Sequence, residues 1–398
     1  MSALQLRVLE AIADVPAPAW DALIAHEPAA ATPFVRHAFL DALEASRSAC
    51  ARTGWRPRHL TLWRQGRLVA AAPAYARDDS DGDFSRDFGW AESAARAGIP
   101  YYPKLVLTVP FTPVTGRRLL VAAEEDRPAA RRALLAGARA LAKDEGLRSI
   151  HVLFAPEDEM AALEEAGLAA RIDFQYHWTN AGYRTPDDFL ARFSSKRRNA
   201  IRRERGAPAR EGIALRTVRG PELAAEARAW AAEMFDLHRG SVERMAWGMR
   251  WVNRAFYERV LAALPESVEI VEARRGRTLV AAAFNLASPA RLYGRYWGCR
   301  EEVPFLHFNV CLYHSVDDCI ARGLQVFEGG AGGEHKLTRG FEPALTRSAH
   351  AVLDRRFDGA LRRHLAAEAE ERRAALARWQ AEAPVLKPLG EAAGPSGP

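Results

Sequence analysis

The sequence predicts an α/β (α+β) protein of two tandem domains, each a mostly antiparallel mixed sheet flanked by helices, followed by a C-terminal helix. Three observations predict it. At 398 residues the chain exceeds the ~250 to 300 residues at which a single core stops growing. The stretch VEARRGRTLVAAAFNL at 271–286 echoes LWRQGRLVAAAPAY at 62–75, with one residue inserted beside the turn. A helix ending in Gly146-Leu147 before the strand SIHVLF has its counterpart in a helix ending in Gly323-Leu324 before QVFEG. Hairpin, helix and strand recur in one order, which an internal duplication explains.

Residues 1–180 form the first predicted domain. LQLRVLEAI reads as a strand, followed by helices at Trp20 to Ile24 and His37 to Ser48. RHLTLWRQGRLVAAAPAY is a hairpin turning at Gln65-Gly66. The acidic stretch ARDDSDGDF reads as a surface loop, and a proline-bounded strand covers Lys104 to Val109. A helix at 127–145, the strand SIHVLF, a helix from Glu157 to Glu165 and the strand RIDFQYHW complete this half. The second domain, 181–353, opens on Thr185-Pro186-Asp187-Asp188, a cap, a proline at the first helical position and acids in the first turn. A basic helix, the strand IALRTV and helices at about 221–238 and 249–263 precede the second hairpin. Residues 354–385 are the C-terminal helix, with Phe357, Leu361 and Leu365 on one face, and 386–398 should be a disordered tail.

Composition is that of a globular chain, 48% hydrophobic and 27% charged. No apolar run reaches the ~18 residues needed to span a bilayer, and MSALQLRVLEAIADV lacks the basic start and apolar core of a signal peptide. The reading is therefore cytoplasmic, with no transmembrane segment. Four cysteines without a CxxC pair indicate reduced thiols. Cys311, His314 and Cys319 share part of a helix face, but Phe308, Leu312, Val316 and Ile320 on the same helix make core packing the better reading, and no metal is expected. Net charge is +6, whereas Arg192 to Arg210 holds eight basic residues against the single acid Glu204, a local +7. Basicity thus belongs to one element, which points to an anionic partner.

The densest chemistry lies in QVFEGGAGGEHKLTRGFEP, residues 325–343. A short strand ends where Gly329, Gly330, Gly332 and Gly333 remove Cβ atoms, and Glu334, His335, Lys336 and Arg339 follow before Phe341. The glycine spacing fits neither a dinucleotide fingerprint nor a P-loop. An exposed glycine turn with solvated charges is the plain alternative. Tyr293, Arg295, Tyr296 and Trp297 alternate along a strand, so some face a pocket and others the core. His307 and Asn309 begin the next helix as caps or pocket residues. On a helix, Phe193, Ala200 and Ile201 make a narrow apolar stripe, while Lys196, Arg197, Arg198, Arg202 and Arg203 cover the rest and suit phosphate.

These motifs, FSSKRRNAIRRER, GRYWG and FEGGAGGEHKLTRGFEP, with PYYPKL and PFTPVTGRRLL in the first half, resemble the FemAB-like branch of N-acyltransferases, of tandem GNAT-type fold. The resemblance spans about 15–350, with glycine at 332 where the family pattern has glutamine and asparagine at 309 where it has glutamate. It implies two GNAT-like domains and an acyl donor entering where Leu292 to Gly298 and Gln325 to Gly330 splay apart. Gly329 and Gly330 then floor the site. Related Fem peptidyltransferases carry a functional lysine that Lys336 matches.

An amine attacking an ester or thioester must lose a proton, and the developing oxyanion needs donors already in place. Lys336, fixed in charge if acidic groups lie near it, suits the oxyanion or a donor phosphate; Glu334 or His335 suits the proton. Glu328 either pairs with Arg295 or Arg339 or grips the amine, and Arg295, Tyr296, Trp297, His307, Asn309, Arg339 and Phe341 complete the substrate-binding candidates. No tightly bound cofactor is expected, with aminoacyl-tRNA or acyl-CoA as co-substrate and an amine-bearing small molecule or cell-envelope precursor as acceptor. After Trp297-Gly298 the chain reads CREEVPFLHFN, without the glycines that grip the pyrophosphate of coenzyme A. The alternative is a non-catalytic module that binds RNA or another polyanion through the basic segment 192–210.

Overall fold

The computed structural model describes residues 3–27, 32–244, 251–382 and 385–387. Two compact units emerge, Met1–Asp173 with Leu345–Ala374 and Phe174–Ala344 with Ala375–Pro398. The expected tail beyond Lys387 and the start of the expected helix at 249 lie outside the described residues.

In the first unit, Gln5–Leu9, His59–Arg64, Arg67–Ala72 and Leu120–Val121 form an antiparallel sheet in that order. The hairpin turns at Gln65 and Gly66, both left-handed (φ 51° and 79°), as a two-residue turn matching strand twist requires. Pro73, which has no N–H for a ladder, separates Ala72 from the strand Ala74–Arg77. That strand joins Arg56–Pro57, Lys104–Leu107, Ser149–Leu153 and the 348–352 end of Glu342–Val352 in a second sheet, antiparallel except for the 104–107/149–152 pair. The helix Arg127–Asp144 supplies Leu134, Leu135, Ala138 and Leu141 to the core between. Phe357, Leu361 and Leu365 of the helix Arg355–Glu382 bury against Trp90 and Tyr101.

The acidic stretch predicted as a surface loop is partly internal. Asp83 and Asp87 are buried and hold the ammonium of Lys104 at 2.8 and 2.7 Å, with Ser80 Oγ at 2.6 Å and the Tyr101 hydroxyl donating to Asp87. Burial alone would lower Lys104, but the two carboxylates hold it above its ordinary range. A run of aspartates looks solvated in one dimension because the lysine that neutralises it is remote in sequence.

In the second unit the strands Ile213–Arg219, Val268–Arg275, Thr278–Ala287, Arg291–Cys299 and Val326–Glu328, then the end of Ala169–Thr179, lie in that order. All pairs are antiparallel except Arg291–Cys299 with Val326–Glu328. Both hairpins are bulged at one place: Leu62 faces Ala70 while Trp63 faces Leu68, and Ala273 faces Ala281 while Arg274 faces Leu279. The unpaired extra residue is Val69 in one and Val280 in the other, equivalent positions in GRLVAAA and GRTLVAAA. A shared irregularity marks the two hairpins as copies more strongly than shared alanines do.

Several boundaries move. The basic segment is two helices, Ser195–Arg205 and Ala207–Arg210, because Pro208 cannot donate within a continuous helix. The expected helix at 221–238 is Gly220–Ala225 followed by Ala227–Glu243, and Arg254–Ala263 begins at the cap Asn253. The early helix is Ala17–Asp21. Thr185 and Asp188 form the expected capping box of Pro186–Ala191.

The helix Ala227–Glu243 rests directly on the strand Arg291–Cys299. A Cβ on Gly298 would lie 2.1 Å from the carbonyl carbon and oxygen of Leu237, which only backbone movement relieves. Gly298→Ala should therefore destabilise the protein by about 3 kcal/mol, read as a lowered denaturation midpoint by circular dichroism. A change inside ~0.5 kcal/mol, as for an ordinary surface substitution, would show that this helix is not seated there.

Candidate functional site

The parallel pair lasts three rungs: Arg291 with Val326, Leu292 with Phe327 and Tyr293 with Glu328. Beyond them Arg291–Cys299 continues against Thr278–Ala287, with a bulge that leaves Arg295 between the Gly294 and Tyr296 rungs. The other strand leaves the sheet at Gly329. Pairing therefore stops at Glu328, while Gly329 and Gly330 stay beside Gly294. Gly330, Gly332 and Gly333 take φ values of 82°, 72° and 89°, a left-handed run that side chains would strain. A 3-10 turn, Glu334–Arg339, follows and ends at Gly340, whose missing Cβ admits the rings of Phe189 and Phe193.

That turn aims Lys336 back into the loop. The side chain is buried, and Nζ donates to the carbonyl oxygens of Gly330 at 2.7 Å and Gly332 at 2.8 Å. The expected acidic neighbours are not its partners; backbone carbonyls are. Carbonyl dipoles compensate a charge less than a carboxylate does, so burial pulls Lys336 down to about 8. Between pH 8 and the ordinary lysine range the folded protein holds Lys336 largely neutral.

His335 is exposed, its ring 5.3 Å from Phe308 and 6.2 Å from His307. Burial and the charges of Lys336 and Arg339 lower its pKa, leaving it a neutral proton acceptor at pH 7. His307 is lowered to about 4 by burial, reinforced by His335, Lys336 and Arg339, and lies 4.6 Å from Trp297. Glu334 is exposed.

Arg339 is buried, with its guanidinium 3.4 Å over the Phe308 ring and Nη2 donating to Glu204 Oε2 at 2.8 Å. Tyr313 donates to the same oxygen at 2.6 Å. The only acid of the basic segment thus points inward and fastens the segment to the lysine turn. Arg197 adds a second link, its Nε donating to Thr338 O at 2.5 Å. Arg202 lies 3.5 Å from Asp187. Among the described residues no carboxylate lies within ion-pair distance of Lys196, Arg198 or Arg203, unlike Arg197, Arg202 and Arg205.

Other candidates fall in different places. Glu328 is buried, with Arg291 at 3.0 Å and His177 at 3.8 Å, and its charge also acts on Arg295, whereas Arg339 pairs with Glu204. Strand register accounts for this, since Glu328 sits between Tyr293 and His177 on the sheet. The bulge breaks the expected alternation: Tyr293 pairs Leu286 and Tyr296 pairs Phe284 on one face, while Trp297 turns to the other. Tyr296 packs among His238, Phe256 and Tyr257, with Arg295 at 5.5 Å from its ring, so Tyr296 is a core residue. Asn309 is buried and donates to Glu204 O and Phe305 O, a structural tie. Phe341 is buried against Phe327 beneath Gly329. His314 contacts Thr217 and Cys319 is in the core; no metal-holding group of three His, Cys, Asp or Glu occurs among the described residues.

His177, Arg291 and Tyr313 were not singled out from sequence, and Glu204 and Phe308 were read only as a lone acid and a core position.

The FemAB-like family profile, described as peptidoglycan biosynthesis/recognition, matches residues 11–387. The chain belongs to the FemAB-like family. No curated protein sequence matches this FemAB-like chain significantly. Among solved structures, FemX superposes with a TM-score of 0.51 at 10% identity, covering 87% of this chain and 98% of its own. The C-terminal domain of a putative lysylphosphatidylglycerol synthetase from Agrobacterium fabrum gives 0.52 at 12%, covering 88% and 95%. A tandem GNAT protein from the clavulanic acid biosynthesis pathway gives 0.43 at 14%, covering 88% and 98%. The FemAB-like chain thus shares its mixed α/β fold, sheets flanked by helices as expected from its sequence, with FemX and the synthetase domain.

Two measurements probe this geometry. In competitive acetylation across pH, read by peptide mass spectrometry, Lys336 should become reactive with a midpoint near 8, about two units below an ordinary exposed lysine. A midpoint near 10 would mean that the ammonium is solvated. Glu204→Ala should cost about 3 kcal/mol in unfolding free energy, because Arg339 is left charged and buried. A loss below ~1 kcal/mol, typical of an exposed pair, would contradict that burial.

Proposed function

We propose that the chain is an N-acyltransferase that moves an acyl or aminoacyl group from an activated ester or thioester to an amine. The observation carrying this reading is a buried Lys336, held by two loop carbonyls where two strands stop pairing, with the neutral imidazole of His335 next to it in sequence. The donor carbonyl enters at the splay. As the amine attacks, its nitrogen forms a bond to the carbonyl carbon and the carbonyl oxygen gains charge, which the Lys336 ammonium stabilises. His335 takes the amine proton; exposed Glu334 is the second candidate base. The tetrahedral centre then collapses, breaking the bond to the leaving oxygen or sulfur.

Donor phosphates are assigned to Lys196, Arg198 and Arg203, with Arg197 and Arg202 partly committed elsewhere. Glu301 and Glu302 stand just beyond Arg291–Cys299, where an acyl-CoA enzyme of this fold type would hold pyrophosphate. Their charge disfavours pyrophosphate there and favours aminoacyl-tRNA over acyl-CoA. No helix among the described residues is long and apolar enough to cross a membrane; we place the reaction in the cytoplasm, where charged tRNA and an amine-bearing envelope precursor meet. The bare cations also fit a non-catalytic binder of RNA.

Lys336→Ala should lower kcat about 100-fold or more, with donor binding retained in a filter assay. Unchanged turnover would remove the catalytic reading and leave the binding one. Arg198→Glu with Arg203→Glu should instead weaken donor binding and flatten its salt dependence.

A further inference from the structure

Asn285, near the end of Thr278–Ala287, is 2% exposed, and its amide nitrogen has no partner among the described residues. Other buried groups with an unpaired atom, such as the guanidinium groups of Arg131 and Arg339, bond through a second nitrogen. The Asn285 amide makes no such second bond among the described residues. A buried donor without an acceptor costs free energy unless a further group is there to receive it.

Its place sets it apart. Strand register puts Asn285 opposite Gly294, the residue before the bulge. A Cβ on Gly294 would lie 3.7 Å from Asn285 Oδ1, 3.6 Å from Gly329 Cα and 3.4 Å from Phe327. One on Gly329 would lie 3.5 Å from Lys336 Cε and 3.2 Å from Phe341. The rings of Phe327 and Phe341 pack together, so the amide and the lysine share one face of the sheet, across two adjoining glycines. Both glycines are only half-buried. Lys336 gives two of its three ammonium protons to Gly330 O and Gly332 O, which leaves one for a substrate oxygen. An oxyanion takes more than one hydrogen bond, and its second donor must already be in place.

Resting on the acyltransferase reading, we propose that Asn285 is a catalytic residue whose side-chain N–H shares the carbonyl oxygen of the acyl donor with the third proton of Lys336. As the amine nitrogen bonds to the carbonyl carbon, the C=O π pair moves onto the oxygen, between these two donors. Collapse returns the pair and breaks the C–O or C–S bond, and the amine proton passes through His335 to the leaving oxygen or sulfur.

Two variants of the full chain test this. In Asn285→Asp the new carboxylate should raise the acetylation midpoint of Lys336 from about 8 by on the order of one unit; an unchanged midpoint overturns the proposal without any substrate being involved. Asn285→Leu keeps the branched shape and removes the donor. With aminoacylated tRNA as donor and ethylamine as acceptor, its kcat should fall about 100-fold with KM little changed. Its thermal midpoint should be no lower than that of the wild type, because the free protein loses only an unpaired group. A lowered midpoint, with turnover falling only as the folded fraction falls, would make Asn285 a structural residue and overturn its role. Turnover lost in Lys336→Ala but kept in Asn285→Leu also overturns it and leaves the acyltransferase reading standing. Equal turnover by both variants and the wild type would remove that reading as well.

Discussion

Everything at this site follows from the short register between Arg291–Cys299 and Val326–Glu328. Three rungs are enough to fix the two strands side by side, and too few to keep them together beyond Glu328. The bulge at Arg295 bends one strand away while the glycines release the other. Past Glu328 the chain opens off the ladder into a loop, and the carbonyls of Gly330 and Gly332 turn to Lys336 instead of to a strand. A longer pairing here would have produced an ordinary sheet with nothing to bind.

Within that opening the lysine is placed by carbonyls and not by carboxylates. The distinction is chemical as well as geometric. A carboxylate would stabilise the ammonium and neutralise its field, whereas two carbonyls satisfy two of its protons and leave the net charge uncompensated. Such a cation is costly to bury and correspondingly strong toward a charge that develops nearby. Glu204 is committed to Arg339 and Tyr313, where it stabilises the turn while Lys336 keeps its carbonyl partners.

The duplicated hairpins, the capped helix at Thr185 and the concentration of chemistry between Glu328 and Phe341 were legible in the sequence, because each depends on neighbours a few residues apart. What escaped depends on residues far apart. Lys104 meeting Asp83 and Asp87 turns an apparently solvated loop into core. Arg291 and His177 reach Glu328 because strand register and not chain proximity brings them to it. The alternation of Tyr293 to Trp297 failed for a related reason: one unpaired residue shifts every later side chain to the opposite face.

Arg197 lies on the face proposed to meet phosphate, yet its Nε is already bound to the carbonyl of Thr338, two residues from Lys336. A polyanion that recruits this guanidinium must compete with that carbonyl. Any ligand that took up this guanidinium would free the Thr338 carbonyl and so slacken one of the two ties on the turn that carries Lys336.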